Sequence, residues 1–479
     1  MNYTAKLFHS DKFSLPYKEV IKIFLLIYIG GYFVYELRGT TYNFVYFTFL
    51  FTLYYRSKND VFWIALFWII LTYPWGMFYY RESGWYFQLT SRVGIDISSI
   101  IPFIILIKTY KRKTILFLKD DLFRRYYKFI VFMLFFLFLW GAQWGFSMRQ
   151  IAMLMTYLPG ILFFIVVPRL FSYAKLLKFN SIIFLFTSIF VVSSIFDIIG
   201  NGVVTKFISF GFEHMPGTAI VTDGDSTLVR QIGGIYLCFY SMILSLYYII
   251  NAKNEFSGLY LWLNLILSIL FIINSATRGW MLATFFIIII FIFRYTLKIQ
   301  LMPKVIGGII VGAAVFTLLS TEYIDNLMLA FERFSTVKAV AEGDFTAEDT
   351  AHRWDERGPA VLARFNESPI FGFGLSAISA EYYDKHVGNH VLLLISGVFG
   401  FVLLYILIIA ILRYIYKLAK IVDKSIFIFC LAILSILIIH ATSREMISYL
   451  MPTDSAFFLA LIFNHINASY FLFRSPNNE

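Results

Sequence analysis

Charge is scarce in this sequence: Asp, Glu, Lys and Arg together make up 14% of the 479 residues, while 59% are hydrophobic. A soluble fold of that composition would leave far too much apolar surface in water, so the chain needs lipid as its solvent. Cysteine is almost absent. Cys238 and Cys430 both stand inside apolar runs, which excludes a disulfide framework and paired-Cys metal spacing. His-Glu-x-x-His, a Walker-type phosphate loop and Gly-x-Ser-x-Gly are missing, so no zinc hydrolase, nucleotide loop or serine hydrolase is indicated. Gly372-Phe373-Gly374 is too short for a dinucleotide fingerprint and lacks a strand–helix context. Heptads, tandem repeats and low-complexity tails are missing too. The N-terminus has no short apolar stretch ending in a small-residue cleavage site, so the first span is expected to be kept.

What is there is one apolar run after another. Crossing hydrocarbon ~30 Å thick takes about 20 residues. Runs lie near 19–37, 40–55, 60–80, 93–108, 127–146, 150–168, 180–200, 232–250, 257–276, 279–297, 303–320, 389–412, 425–441 and 452–473. The second and fourth are short enough to tilt, re-enter or merge. The expected fold is therefore an all-α polytopic membrane protein with 12–14 transmembrane helices and one large external loop. A bundle over 1–320 of about eleven spans, with a short external loop at 201–231, precedes a large loop at 321–388. About three further spans occupy 389–479.

The net charge of +11 is spread between apolar runs rather than along one face, which fits topology signals better than nucleic-acid binding. Alternate connections collect Lys and Arg, as in Lys108 to Lys128 and Arg413 to Lys424. Those between them hold mostly single basic residues: Arg38, Arg81, Arg149, Arg278, Arg444. The positive-inside bias then puts both termini in the cytoplasm and the Phe331–Lys385 segment outside. Within that segment Thr350–Asn366 reads as an amphipathic helix, stopped by Ser368-Pro369, and Gly372 and Gly374 make a turn.

A few polar residues stand out against this background. Arg278, between two apolar runs with almost no loop, costs roughly 2–3 kcal/mol unless it snorkels or meets an anion. Arg353, next to Trp354, and Arg230 carry the same planar fork, which pairs with phosphate oxygens; each also suits a solvated surface. Arg333, Arg357 and Arg364 are weaker members of this set. His386 and His390 stand four apart, so a helix would set both on one face. A zinc site would want a third ligand, and no metal site is expected. A histidine at the outer end of a span also suits general-base work, or simply an interfacial imidazole with a backbone partner.

Taken in order, these pieces resemble the bacterial O-antigen polymerase and O-antigen ligase superfamily. They are Arg230-Gln231-Ile232-Gly233; Ser275-Ala276-Thr277-Arg278-Gly279; Glu332-Arg333-Phe334; Arg353-Trp354; Pro369-Ile370-Phe371-Gly372-Phe373-Gly374; a histidine; and Gly397-Val398-Phe399-Gly400. The likeness covers about 220–400, and the first 200 residues match in hydropathy alone. His386 has the family spacing of eleven residues before Gly397, whereas His390 has a Gly-Asn-His context seven residues before it. His390 is favoured over His386.

The resemblance implies a GT-C-like membrane glycosyltransferase that needs no metal or other cofactor. It would polymerise, or transfer, polyprenyl-diphosphate-linked oligosaccharide repeats on the external face of a bacterial inner membrane. Arg278, Arg353 and Arg230 would hold the diphosphate, and His390 or His386 would take the acceptor's proton. Implied partners are the lipid-linked donor, a glycan or lipid-linked acceptor, the bilayer and a chain-length regulator. A ligase moving glycan to a lipid A core is the near alternative. A lipid-glycan flippase or secondary transporter is the alternative of another class, although the span midplanes look almost free of charge.

Overall fold

The computed structural model describes residues 15–35, 40–72, 86–88, 94–111, 122–146, 151, 154, 158–200, 204, 218–223, 226–251, 255–296, 302–317, 319–332, 357–384, 386–442 and 444–474. Helices dominate. In chain order they are α1 (Tyr17–Tyr35), α2 (Thr40–Arg56), α3 (Asp60–Thr72), α4 (Ile97–Thr109), α5 (Leu122–Gly141), α6 (Phe163–Leu170), α7 (Tyr173–Ile199), α8 (Ile235–Ile250) and α9 (Gly258–Asn274). They continue with α10 (Arg278–Phe291), α11 (Met302–Thr317), α12 (Thr321–Glu332), α13 (Gly358–Phe365), α14 (Ala377–Glu381), α15 (Gly388–Ile421), α16 (Phe427–Thr442) and α17 (Thr453–Arg474). Two small antiparallel hairpins interrupt them. One pairs β1 (Tyr86–Gln88) with β2 (Gly94–Asp96), the other β3 (Thr218–Asp223) with β4 (Ser226–Gln231). The second lies in the loop expected at 201–231.

Every apolar run of the sequence coincides with a helix, yet length separates them. Among the described residues five helices are long and apolar enough to cross a membrane: 124–144, 173–199, 278–295, 388–421 and 424–442. The chain is all-α, with helices that suit a membrane by length and composition; among the described residues those criteria alone do not reach the span count of 12–14. Two runs show why. In the run at 60–80 the described residues end at Thr72, whose carbonyl accepts the Gly234 N–H (2.7 Å). The run at 150–168 holds Pro159 and Pro168, and it forms a 3-10 turn (Leu158–Leu162) before α6.

Apolar residues around the whole circumference mark a helix that is enclosed by others. All thirteen residues of α3 are buried, as are all of α8 except its last. The described side chains of α17 are buried through Ser469. Hydrogen bonds tie these inner helices together, as expected where lipid offers no competing water. Tyr240 in α8 donates to Asn180 in α7 (3.1 Å), Asn180 Nδ2 donates to Tyr248 (2.9 Å), and Tyr240 and His465 of α17 meet at 3.1 Å. Asn264 of α9 donates to the Phe184 carbonyl and to Ser188 on α7 (2.9 and 3.0 Å). The core is thus free of net charge here but not of polarity.

Lys108, counted from the sequence among topology signals, is an internal staple instead. Its ammonium meets Asp60 at 2.8 Å and donates to the carbonyls of Tyr54 (2.6 Å) and Ser57 (2.7 Å). Two of its protons thus go to carbonyls, and its charge is balanced by Asp60.

Candidate functional site

The four expected residues that are described fall into two groups. Arg230 is the last residue but one of β4, and Gly233 and Gly234 then turn the chain into α8, with Gly234 in the left-handed region (φ 87°). From there the Arg230 guanidinium reaches across to the turn between α9 and α10. Nε donates to the Ser275 carbonyl (3.2 Å), and Nη2 to the Ala276 carbonyl (3.3 Å) and Thr277 Oγ1 (3.4 Å). The turn is tight because Ala276 sits at φ 47°, a left-handed conformation costing roughly 1–2 kcal/mol for a residue with a Cβ. Arg278 is the first residue of α10, which begins directly after this turn. Two motif arginines, 45 and more residues apart in sequence, are therefore bound to one corner of the molecule.

That corner continues through aromatic rings. Trp280, one residue past Gly279, packs edge-on against Tyr236 (centroids 4.9 Å apart, 77°). The Arg444 guanidinium also lies over Tyr236, 5.5 Å from the ring centre. Arg444 also pairs with Asp454 at 3.3 Å, while the Tyr236 hydroxyl meets Ser455 at 2.8 Å. Arg230, the start of α10 at Arg278, and Arg444 are thus linked through the 275–277 turn and the packed rings of Trp280 and Tyr236. Arg353 lies outside the described residues.

The histidines form the second group, and the helix-face expectation fails for them. His386 precedes α15, whose first residue is Gly388, so the pair does not share a helical face. The reason is local. Asp384 captures the His386 N–H with its side chain (2.9 Å) and the Val387 N–H with its carbonyl (3.2 Å), which holds a turn where a helix would have run. His390 lies in the first turn of α15, half-buried, and its Nδ1 is buried with no hydrogen-bond partner among the described residues.

Residues between α16 and α17 join the two groups, and sequence reasoning missed all but the charge of Arg444. His440, near the end of α16, accepts the N–H groups of Met446 and Ile447 on Nδ1 (3.0 and 3.3 Å). Gly388 abuts the same ring; a Cβ there would stand 2.7 Å from His440 Cε1. Glu445 accepts a hydrogen bond from the Tyr383 hydroxyl. The available signal was an adjacent Arg444-Glu445 pair between two apolar runs, with Asp454 opening the next.

The Pro369–Gly374 motif plays a backbone role. α15 is broken at Gly397 (φ 63°, ψ −177°). The carbonyls of Leu394 and Ile395 accept the N–H groups of Phe373 and Gly374, both at 2.8 Å. The N–H groups of Val398 and Phe399 donate to Pro369 and Ile370 at 2.9 and 3.0 Å. Trp140 Nε1 donates to Gly372 O (3.0 Å). Two carbonyls and two N–H groups beside the break are thus bonded by the motif, as irregular backbone away from water needs.

Compared with known proteins, the chain matches no protein-family model, and no curated protein is similar to it. The family resemblance therefore rests on the motifs alone.

Proposed function

We propose that this protein is a membrane glycosyltransferase that joins polyprenyl-diphosphate-linked oligosaccharides, working on the external membrane face. The observation that carries the reading is the corner at which Arg230 grips the turn leading into Arg278, with Arg444 on the adjoining aromatic surface. Guanidinium groups at the positive end of a helix suit a diphosphate, and α10 begins at Arg278. Arg353 belongs to the same set by its motif. In the reaction the acceptor hydroxyl oxygen bonds to the anomeric carbon of the donor. The carbon–oxygen bond to diphosphate breaks, and its electron pair leaves with the polyprenyl diphosphate. The hydroxyl proton passes to His390 or His386. The arginines balance the charge that grows on the leaving group, so no metal ion is assigned a part.

A purified-protein assay with a polyprenyl-diphosphate oligosaccharide in EDTA tests this. Arg278→Ala should fold and insert normally yet lose transfer by at least about 100-fold, the scale of removing one preorganised charge donor. Undiminished transfer by that variant would remove Arg278 from the site. The polymerase form, in which the acceptor is a second lipid-linked repeat, is preferred to the ligase form on the order of the loop motifs. A second reading, movement of a lipid-linked glycan across the bilayer, draws on the buried hydroxyl, amide and imidazole groups of Tyr240, Asn180 and His465. Transfer makes a new glycosidic bond and movement does not, so product analysis separates the two.

A further inference from the structure

Glu445 lies in the turn between α16 and α17 and is wholly shielded from solvent. Its Oε2 accepts the Tyr383 hydroxyl, and its Oε1 is buried with no hydrogen-bond partner among the described residues. A carboxyl group so placed is expensive, and packing alone does not call for one. Its position explains it. Tyr383 belongs to the loop that runs from α14 into His386, whereas the neighbouring Arg444 reaches the other way, to Asp454 and over Tyr236. Adjacent residues thus take hold of the histidine segment and of the arginine corner. The turn that carries them is itself fixed, because His440 holds its N–H groups at 446 and 447 and Gly388 closes on that imidazole.

We propose that Glu445 is a positioning residue: acting through Tyr383, it sets where the His386–His390 segment stands relative to the arginines. The catalytic part of this inference rests on the glycosyl-transfer reading, whereas the mechanical part does not. Titration should expose it. Burial raises the Glu445 carboxyl to about 7, opposed by hydrogen bonds from Ser448 and Tyr383 and by the charge of Arg444. The ionisable groups on the elements that meet at this turn are Asp384 and His386 on the Tyr383 loop, with Arg357 paired to Asp384 at 3.7 Å, His440 on α16, and Asp454 on α17 paired to Arg444. Ionised, the carboxylate holds the tyrosine hydroxyl in a charge-assisted bond, which weakens once the carboxyl is neutral. The histidine segment should therefore tighten as pH rises through about 7.

Two arms test this on the full-length protein in lipid nanodiscs. The first is mechanical. Glu381, exposed on α14, is replaced by Cys and spin-labelled; the native Cys238 and Cys430 are buried. Label mobility should fall between pH 6 and pH 8, and Glu445→Gln should abolish that change. Tyr383→Phe removes the same bond and should do likewise, which keeps the test decisive should Glu445→Gln not fold. A pH response surviving in either variant, or absent from the parent, overturns the proposal. The second arm is kinetic. Glu445→Gln should lower kcat about tenfold, the scale of one hydrogen bond, with donor KM unchanged. The limb near pH 7 should disappear, Glu445→Asp should restore part of the rate, and the double variant with Tyr383→Phe should be no worse than either single one. Additive losses, or a loss confined to KM, overturn it. If the parent transfers no sugar at all, the functional reading fails while the spin-label arm still decides the mechanical claim.

Discussion

Single side chains show where a buried charge is tolerated and at what cost. Glu445 binds its proton in the folded protein up to about pH 7, whereas an ordinary glutamate loses it near 4.5. Between those values the folded state holds more protons than the unfolded one, so stability falls as pH rises through the window. At about 1.4 kcal/mol per pH unit of separation, the full penalty above pH 7 is on the order of 3 kcal/mol. Glu445→Gln removes it. Thermal unfolding in nanodiscs should find that variant more stable than the parent at pH 8 and level with it at pH 4.5. A difference that does not change with pH would show that Glu445 is not the buried acid described. Lys108 makes the complementary point about reading sequence. Its charge was legible, but its use was not, because the three oxygens around it come from residues some 50 positions away.

Elements show what the glycine motifs are for. A helix broken in hydrocarbon leaves carbonyl and N–H groups that each cost several kcal/mol unless remade. Residues 369–374 remake four of them around Gly397, and the fit leaves no room for a side chain. A Cβ would stand 2.1 Å from Ile370 O at Gly397 and 2.4 Å from Leu137 O at Gly374, with both glycines left-handed. Either Gly→Ala change should cost at least about 2–3 kcal/mol from clash and backbone strain together. Gly307 is the control: it lies inside α11, and a Cβ there meets nothing within 4 Å. Gly307→Ala should be neutral or gain up to about 1 kcal/mol. Heat challenge followed by size-exclusion chromatography ranks the three, and equal survival would dismiss the remade-break account. From the sequence, Gly372 and Gly374 were readable as a turn and Gly397 as an interruption. That the two are one structure was not readable, because their hydrogen bonds are long-range and leave no local pattern.

At the scale of the whole molecule the charges divide by end. Arg230, Arg278, Arg444 and Glu445 gather where α8, α10, α15 and α17 begin and α16 ends. The opposite ends of α10, α15 and α16 carry Arg294, stacked over Phe427 at 4.0 Å, and Arg413, Lys417, Lys420 and Lys424. Beyond its break at Gly397, the stretch 398–421 of α15 runs roughly 36 Å at 1.5 Å per residue, enough to cross hydrocarbon ~30 Å thick. From the sequence, alternating charge was readable along the chain. Which scattered residues meet at each end had to come from packing: Arg444 reaches the Arg278 corner through two aromatic rings, which no spacing encodes. On the proposed reading, the positive-inside rule would set the lysine-rich end in the cytoplasm and the arginine corner outside. Single cysteines at the exposed positions of Lys417 and Glu381 test that assignment, with little background from the buried native pair. An impermeant maleimide should label the position 381 thiol in intact cells and the position 417 thiol only after the membrane is opened. Labelling of both from one side would place the arginine corner and the lysine-rich end in the same compartment. The glycosyl-transfer reading would then lose its external donor, because the grip on the diphosphate would no longer face away from the cell interior.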